Sequence, residues 1–414
     1  MAGNLTTLAA ITKKFYVENK VHDQLNQDSY LFDRLAKPAQ KEVQGVDYTY
    51  AINTGRNRYA GRSIAEGGAY GTAGNQTVKN IVVPNTRVVT AVELTMDIVN
   101  AATGSNRGSF VSAYKTEVDG GMKNTYRALN RMLHSDGTDA LGFWTTADDS
   151  SGTDIDDGQD NGFPIHLESG ATVLDLVDAS DNSTLVGNSI TVTRGAETST
   201  DMAVTWSGTV SGSADGDYLV MEDSLGYAPM GIRGIISASD PTLLSGGLHG
   251  LTVASNPDWV AQSFLNSGTK RALTIGLMES VLTQIALRSP GKIDFLMCNG
   301  AVKDKYVALL IADQRQTSPT TLKGGYTSYD FNGLKFIVDP QCRRNTIYFI
   351  DPSSMDFLTA TNGIAWSNYS GNQWQLKAGS SGYSDAVQAF LRIEGNLACK
   401  SRGSNGVLGD LIDQ

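Results

Sequence analysis

Cysteine is scarce: three residues in 414 (Cys298, Cys342, Cys399), odd in number, widely spaced and with no CxxC pair. That pattern argues against a disulfide scaffold or a zinc site. It suits a reducing interior such as cytoplasm, with each thiol a small buried apolar side chain. The four histidines (His22, His134, His166, His249) stand apart and form neither HxxxH nor HExxH. No apolar run approaches the ~20 residues of a membrane helix, so no membrane partner is expected. The N-terminus, MAGNLTTLAAITKKFYVEN, has no basic start leading into a sustained apolar segment, and no secretory signal is read there. Prolines number ten against 44 glycines, which points to many turns and loops rather than a helical bundle.

Chemical constellations are missing as well. GxSxG, GxxxxGK[ST] and GxGxxG do not occur between a strand and a helix, and no Ser/His/Asp or Cys/His arrangement stands out. Cys342 has arginines beside it, Arg343 and Arg344, and no histidine partner in sequence. No catalytic residue and no cofactor is therefore assigned. The run Asp154, Asp156, Asp157, Asp160 offers carboxylates to a hard cation. An EF-hand loop counted from Asp154 fails, because position 5 is Gly158 and position 12 is Ile165. The run is read as a solvated acidic linker, with no metal expected.

What is present is uneven. The net charge of −10 divides sharply along the chain. Residues 1–131 carry 16 Lys+Arg against 11 Asp+Glu, and residues 233–414 carry 16 against 14. Residues 132–232 carry Arg194 alone against 18 acids. The same stretch changes texture: DDSSGTDIDDGQDNG reads as a linker, followed by short Thr/Val-rich runs (ATVLDLV, NSITVTRG, DMAVTWSG, GDYLVMED). Residues 145–225 are read as a small antiparallel β domain inserted into a larger host.

The host opens on an amphipathic stretch, Leu5 to Asn19, and a short apolar set (Leu25, Tyr30, Leu31, Leu35) that ends at Pro38. A strand candidate, VDYTYAIN, leads into a long glycine-rich excursion over residues 54–76 that has too few apolar residues to bury a core. Period-two alternation from Thr86 to Ile98 predicts the strand that returns it, making a two-stranded arm. Three arginines in the arm, Arg56, Arg58 and Arg62, have three readings: solvated charge, docking on an acidic neighbour, or nucleic-acid contact. Over residues 106–134 the apolar period lengthens to three or four, a long amphipathic helix interrupted by Gly120 and Gly121. Two adjacent glycines mark either a close packing contact or a bend. Further on come a helix (269–287), a buried strand (IDFLMCN), a helix (301–313), two strands about a polar turn (331–351) and a long strand from Asp385. Helices packed on sheets with a β insertion give the class α+β.

This order resembles that of the major capsid proteins of tailed bacteriophages, whose fold is shared with encapsulins. The resemblance rests on the arm, the long helix, PMGIRGIISASDPTLLSGGLHGLTVASNPDWVAQ, GKIDFLMCNGAVKDKYVALL, FNGLKFIVDPQCRRNTIYFIDPSSMDFL and RIEGNLACKSRGSNGVLGDL, taken in sequence. It implies an N-terminal arm at 1–45, an extended loop at 46–90, and a peripheral domain with a spine helix at 91–144. It further implies a peripheral domain and linker at 226–290, an axial domain at 291–384, and a peripheral return strand with the C-terminus at 385–414.

By resemblance the chain is a structural subunit that self-assembles into hexamers and pentamers, forming an icosahedral capsid around packaged double-stranded DNA held without sequence specificity. Scaffolding protein and portal are the implied assembly partners, and a decoration protein a further one. Location is the virion, after assembly in the host cytoplasm. Arg56, Arg58, Arg62 and Glu66 become intersubunit contacts, and Gly120/Gly121 a bend in the spine helix during shell expansion. The start of the sequence implies a separate scaffold or prior cleavage. Residues 43–77 hold no lysine, so no covalent crosslink through the loop is expected. The acidic insertion is expected to face outward, away from phosphate. Competing readings are an encapsulin-type compartment shell, a secreted carbohydrate-binding or adhesive β protein, and a tail-tube or decoration protein.

Overall fold

The computed structural model describes residues 30–36, 41–42, 47–55, 57, 63–68, 74–97, 107–144, 152–156, 167, 170–197, 201–241, 244, 246–289, 291–312, 320–321, 327–360, 364–368, 371–379 and 382–412. The amphipathic stretch from Leu5 to Asn19 lies outside them. The described chain begins with a helical turn, Phe32–Ala36, which sinks Leu31, Phe32 and Leu35 into the core. Strand β1 (Lys41–Glu42) follows.

The arm is a two-stranded antiparallel ribbon of β2 (Asp47–Gly55) and β3 (Thr77–Pro84), in register from Asp47 opposite Pro84 to Gly55 opposite Thr77. Its root is buried through Tyr48, Ile81 and Val83, while Val78 and Val82 are exposed. The return strand is therefore residues 77–84, and the expectation of 86–98 is corrected. Pro84 ends the ribbon, since a proline offers no ladder N–H. The next strand, β4 (Arg87–Thr95), instead joins the body. Its alternation is as read, with Val88, Val92 and Leu94 buried and Arg87 and Val89 exposed.

Helix α1 (Arg107–His134) runs 28 residues, about 42 Å at 1.5 Å per residue. Six strands then close into a barrel: β5 (Gly142–Trp144), β6 (Gly152–Asp156), β7 (Ala171–Val177), β8 (Leu185–Glu197), β9 (Asp201–Ser207) and β10 (Tyr218–Met221). Closure removes the open edges that a free sheet would expose. Trp144, Ile155, Leu174, Leu176, Ile190, Val192, Val204, Trp206 and Leu219 fill the barrel. Asp175 accepts hydrogen bonds from the Ser189 and Asp223 amides, and Asp217 from those of Ala179 and Ala214. Some of the acidity of this block therefore fixes loops.

The second half builds a seven-stranded sheet. Strand β11 (Gln262–Phe264) precedes helix α2 (Ile275–Arg288), whose N-terminus is capped by the Thr274 hydroxyl. Strand β12 (Phe295–Cys298) and helix α3 (Gly300–Ala312) follow. After them come β13 (Thr320–Thr321), β14 (Thr327–Phe331), β15 (Leu334–Val338) and β16 (Ile347–Ile350). Asn332 and Gly333, at φ 52° and 79°, close the β14–β15 hairpin, a turn that requires left-handed backbone at both positions. The two strands read about a polar turn, β15 and β16, are not neighbours. Strand β12 lies between them, parallel to β15 and antiparallel to β16. Every residue of β12 is buried because both faces are covered: Phe295 and Met297 face one core, Leu296 and Cys298 the other.

Strands β17 (Met355–Thr359), β18 (Ala365–Trp366), β19 (Gln375–Gly379) and the 18-residue β20 (Gly382–Cys399) form a six-stranded sheet with β1 and β4. Strand β21 (Gly406–Leu408), grouped by sequence with the peripheral return strand, instead pairs with β11 and β16. Thus β11 and β21 both belong to the seven-stranded sheet. The three buried residues of β21 carry no local sign of which sheet they join.

Candidate assembly surfaces

The arm leaves the outer edge of β2 without a partner strand among the described residues. That edge, Tyr50 to Gly55, forms one wall of a groove of about 1060 Å³, and Pro257–Val260, Leu287–Ser289 and Lys400–Gly403 form the other. At its root the Tyr50 hydroxyl donates to Asp356 (3.3 Å), which also pairs with Lys400 at 3.1 Å. Burial and the Asp356 carboxylate push the Tyr50 phenol up to about 12. A second groove, about 990 Å³, lies between β4, α1 and the barrel.

Sequence-predicted positions fall unevenly on this frame. Arg56, Arg58 and Arg62 lie outside the described residues. Glu66 is exposed on a turn in which the Gly68 amide donates to the Ala65 carbonyl, with Ile64 exposed nearby. Asp154 and Asp156 are on β6, and Asp157 and Asp160 lie outside the description. Among the described residues no group of His, Cys, Asp and Glu could hold a metal ion. Gly120 has open space around it. A Cβ on Gly121 would stand 2.7 Å from Val92 Cγ2, so the helix backbone presses directly on β4 at that point. All three cysteines are buried with thiols pushed up by desolvation, Cys399 to about 12, which suits packing and not nucleophilic attack. No described helix is long and apolar enough to cross a membrane.

Three polar centres were invisible to sequence reasoning. Arg402 is fully buried and donates to the carbonyls of Gly234, Ile235, Ser239 and Trp259, pinning two long loops to the end of β20. His249 sits at φ 55°, its carbonyl accepting from Val82 of the arm and its Nε2 from the Cys399 amide. Burial, with the nearby Arg402 charge, pulls its pKa down to about 4.

The third centre is at the C-terminal end of α1. Arg131 grips Asp139 with two bonds of 2.9 and 2.8 Å, and Arg233 pairs with Asp136 at 3.6 Å. One turn apart on α1, Asn130 and His134 both meet Asp339, in the loop after β15. His134 Nε2 stands 3.1 Å from an Asp339 oxygen. Burial would raise the Asp339 pKa, but His134, the Gln341 amide and Asn130 together hold it below the ordinary carboxylate range. A local search misses the Asp339 contacts, because Asn130 and Asp339 are 209 residues apart in the chain.

Residues 227–411 match the family model of the SU10 major capsid protein. No curated protein sequence matches the chain. Among solved structures, the capsid asymmetric unit of cyanophage A-1(L) is similar with a TM-score of 0.59 at 13% identity, covering 95% of this chain and 96% of that one. The holo-SrpI encapsulin complex from Synechococcus elongatus gives a TM-score of 0.46 at 8% identity, covering 98% and 95%. The cyanophage likeness is one of overall fold, and the family match falls on the part of the chain that carries the seven-stranded sheet. The chain thus shares the fold of the cyanophage capsid subunit, and its residues 227–411 are similar to the SU10 major capsid protein family.

Proposed function

We propose that this capsid shell subunit self-assembles into hexamers and pentamers that enclose double-stranded DNA, with scaffolding protein and portal as assembly partners and the virion as its destination. The observation that carries the reading is the arm. It is a ribbon that leaves the body with Val78 and Val82 exposed and, among the described residues, one strand edge unpaired, which costs solubility in a monomer and gains contact area in a shell. Arg56, Arg58, Arg62 and Glu66 then act between subunits, and the role is structural rather than enzymatic. A decoration protein has the acidic barrel as its natural landing surface.

Negative-stain microscopy of the purified full chain tests this. Closed shells or five- and six-membered rings are expected, whereas monomers at every concentration and in the presence of scaffold would refute self-assembly. The contents of the particles separate DNA packaging from an encapsulin-type protein cargo.

A further inference from the structure

One buried amide joins three separate parts of the chain. Asn130 Oδ1 accepts the backbone N–H of Phe32 at 3.3 Å, from the N-terminal helical turn. Its Nδ2 donates to Gln341 Oε1 at 2.7 Å and toward Asp339 Oδ2 at 3.4 Å, from the loop after β15. The residue itself belongs to α1. Asn130 is 0% exposed, Asp339 1% and Phe32 2%.

The orientation of this amide is fixed from both sides. Turned over, it would set its oxygen against the Asp339 carboxylate and its NH₂ against the Phe32 N–H, and both contacts are repulsive. Each side therefore holds the other in place. If the loop withdraws, Nδ2 is left buried without a partner, and if the N-terminal turn withdraws, the oxygen is. Asp339 reinforces the loop side, because it also meets His134 one turn further along the same helix face and accepts the Gln341 amide at 2.9 Å.

We propose that Asn130 is a relay that couples docking of residues 30–36 to seating of the 339–343 loop on the long helix, so that the N-terminal segment and the seven-stranded sheet engage α1 together. The coupling is internal to one subunit and does not depend on the shell reading. It is reciprocal, as any such linkage must be.

The test is native-state hydrogen exchange on the full chain, comparing Gln341→Ala and Asn130→Leu with the unaltered protein. Gln341→Ala touches only the loop side and only a partly buried side chain. It is expected to accelerate exchange over 30–36 as well as over 339–343, by about 5- to 150-fold, the usual range of such couplings, with the barrel amides of residues 171–221 unchanged. Asn130→Leu should do the same at both places. Acceleration confined to 339–343 in Gln341→Ala overturns the relay. So does equal acceleration throughout the barrel, which would report general destabilisation.

Discussion

At the scale of single residues, Arg402 and His249 carry the sharpest consequences. Arg402→Ala strands several buried carbonyls at once, and a loss of about 3–5 kcal/mol in denaturant unfolding is expected. Arg402→Lys should recover little, because an ammonium cannot reproduce the planar fork. His249 is held neutral in the fold, with a pKa of about 4 against about 6.5 unfolded. Its contribution is complete above pH ~6.5 and drains away as the pH falls toward 4, where the unfolded chain binds the extra proton, a change of about 3 kcal/mol. His249→Asn keeps the left-handed backbone and should flatten stability between pH 6.5 and 4, read from Tm against pH. Asp339 and Asp136 act in a lower window. Their depressed values mean stability that is present above the ordinary carboxylate range of ~4 and lost as the pH falls below it.

At the scale of elements, the two glycines of α1 separate. Gly120 faces open space, so Gly120→Ala should stabilise by up to about 1 kcal/mol. Gly121→Ala drives a methyl into Val92 and should cost about 1–3 kcal/mol, so thermal unfolding should show opposite signs for adjacent sites. The sequence posed contact and bend as alternatives for the pair. The structure makes Gly121 a contact, and the bend proposal now rests on Gly120, where unchanged shell expansion in Gly120→Ala would sink it. The helix itself and the alternation of β4 were readable because their signals are local, a repeat of 3.6 or 2 in neighbouring side chains. The return of the arm was misplaced because strands 77–84 and 87–95 both alternate, and only Pro84 between them marks the break.

At the scale of the molecule, the barrel is an insertion in the geometric sense. Its first and last strands pair directly, Phe143 opposite Tyr218, so the chain enters and leaves at points one strand spacing apart, about 5 Å. Replacing residues 142–221 with a short glycine linker should leave the host's calorimetric transition in place and remove only the barrel's. Collapse of both would show that the host needs the barrel to fold. In shell assembly, Val78→Lys should reduce particle yield while leaving the subunit's Tm within about 2 °C, since a surface change of under about 0.5 kcal/mol shifts Tm little.

The amino-acid sequence alone determined the α+β class, the long helix, the alternation of β4 and the acidity of the central block. Each of these is written in residues close together in the chain or in bulk composition. Tertiary structure alone decided that β12 separates β15 from β16, that β21 crosses to the seven-stranded sheet, and that Asn130, His249 and Arg402 are buried connectors. Those outcomes depend on which apolar faces meet and which polar groups are trapped between them. A single asparagine or arginine looks the same in sequence whether water or a distant carbonyl satisfies it.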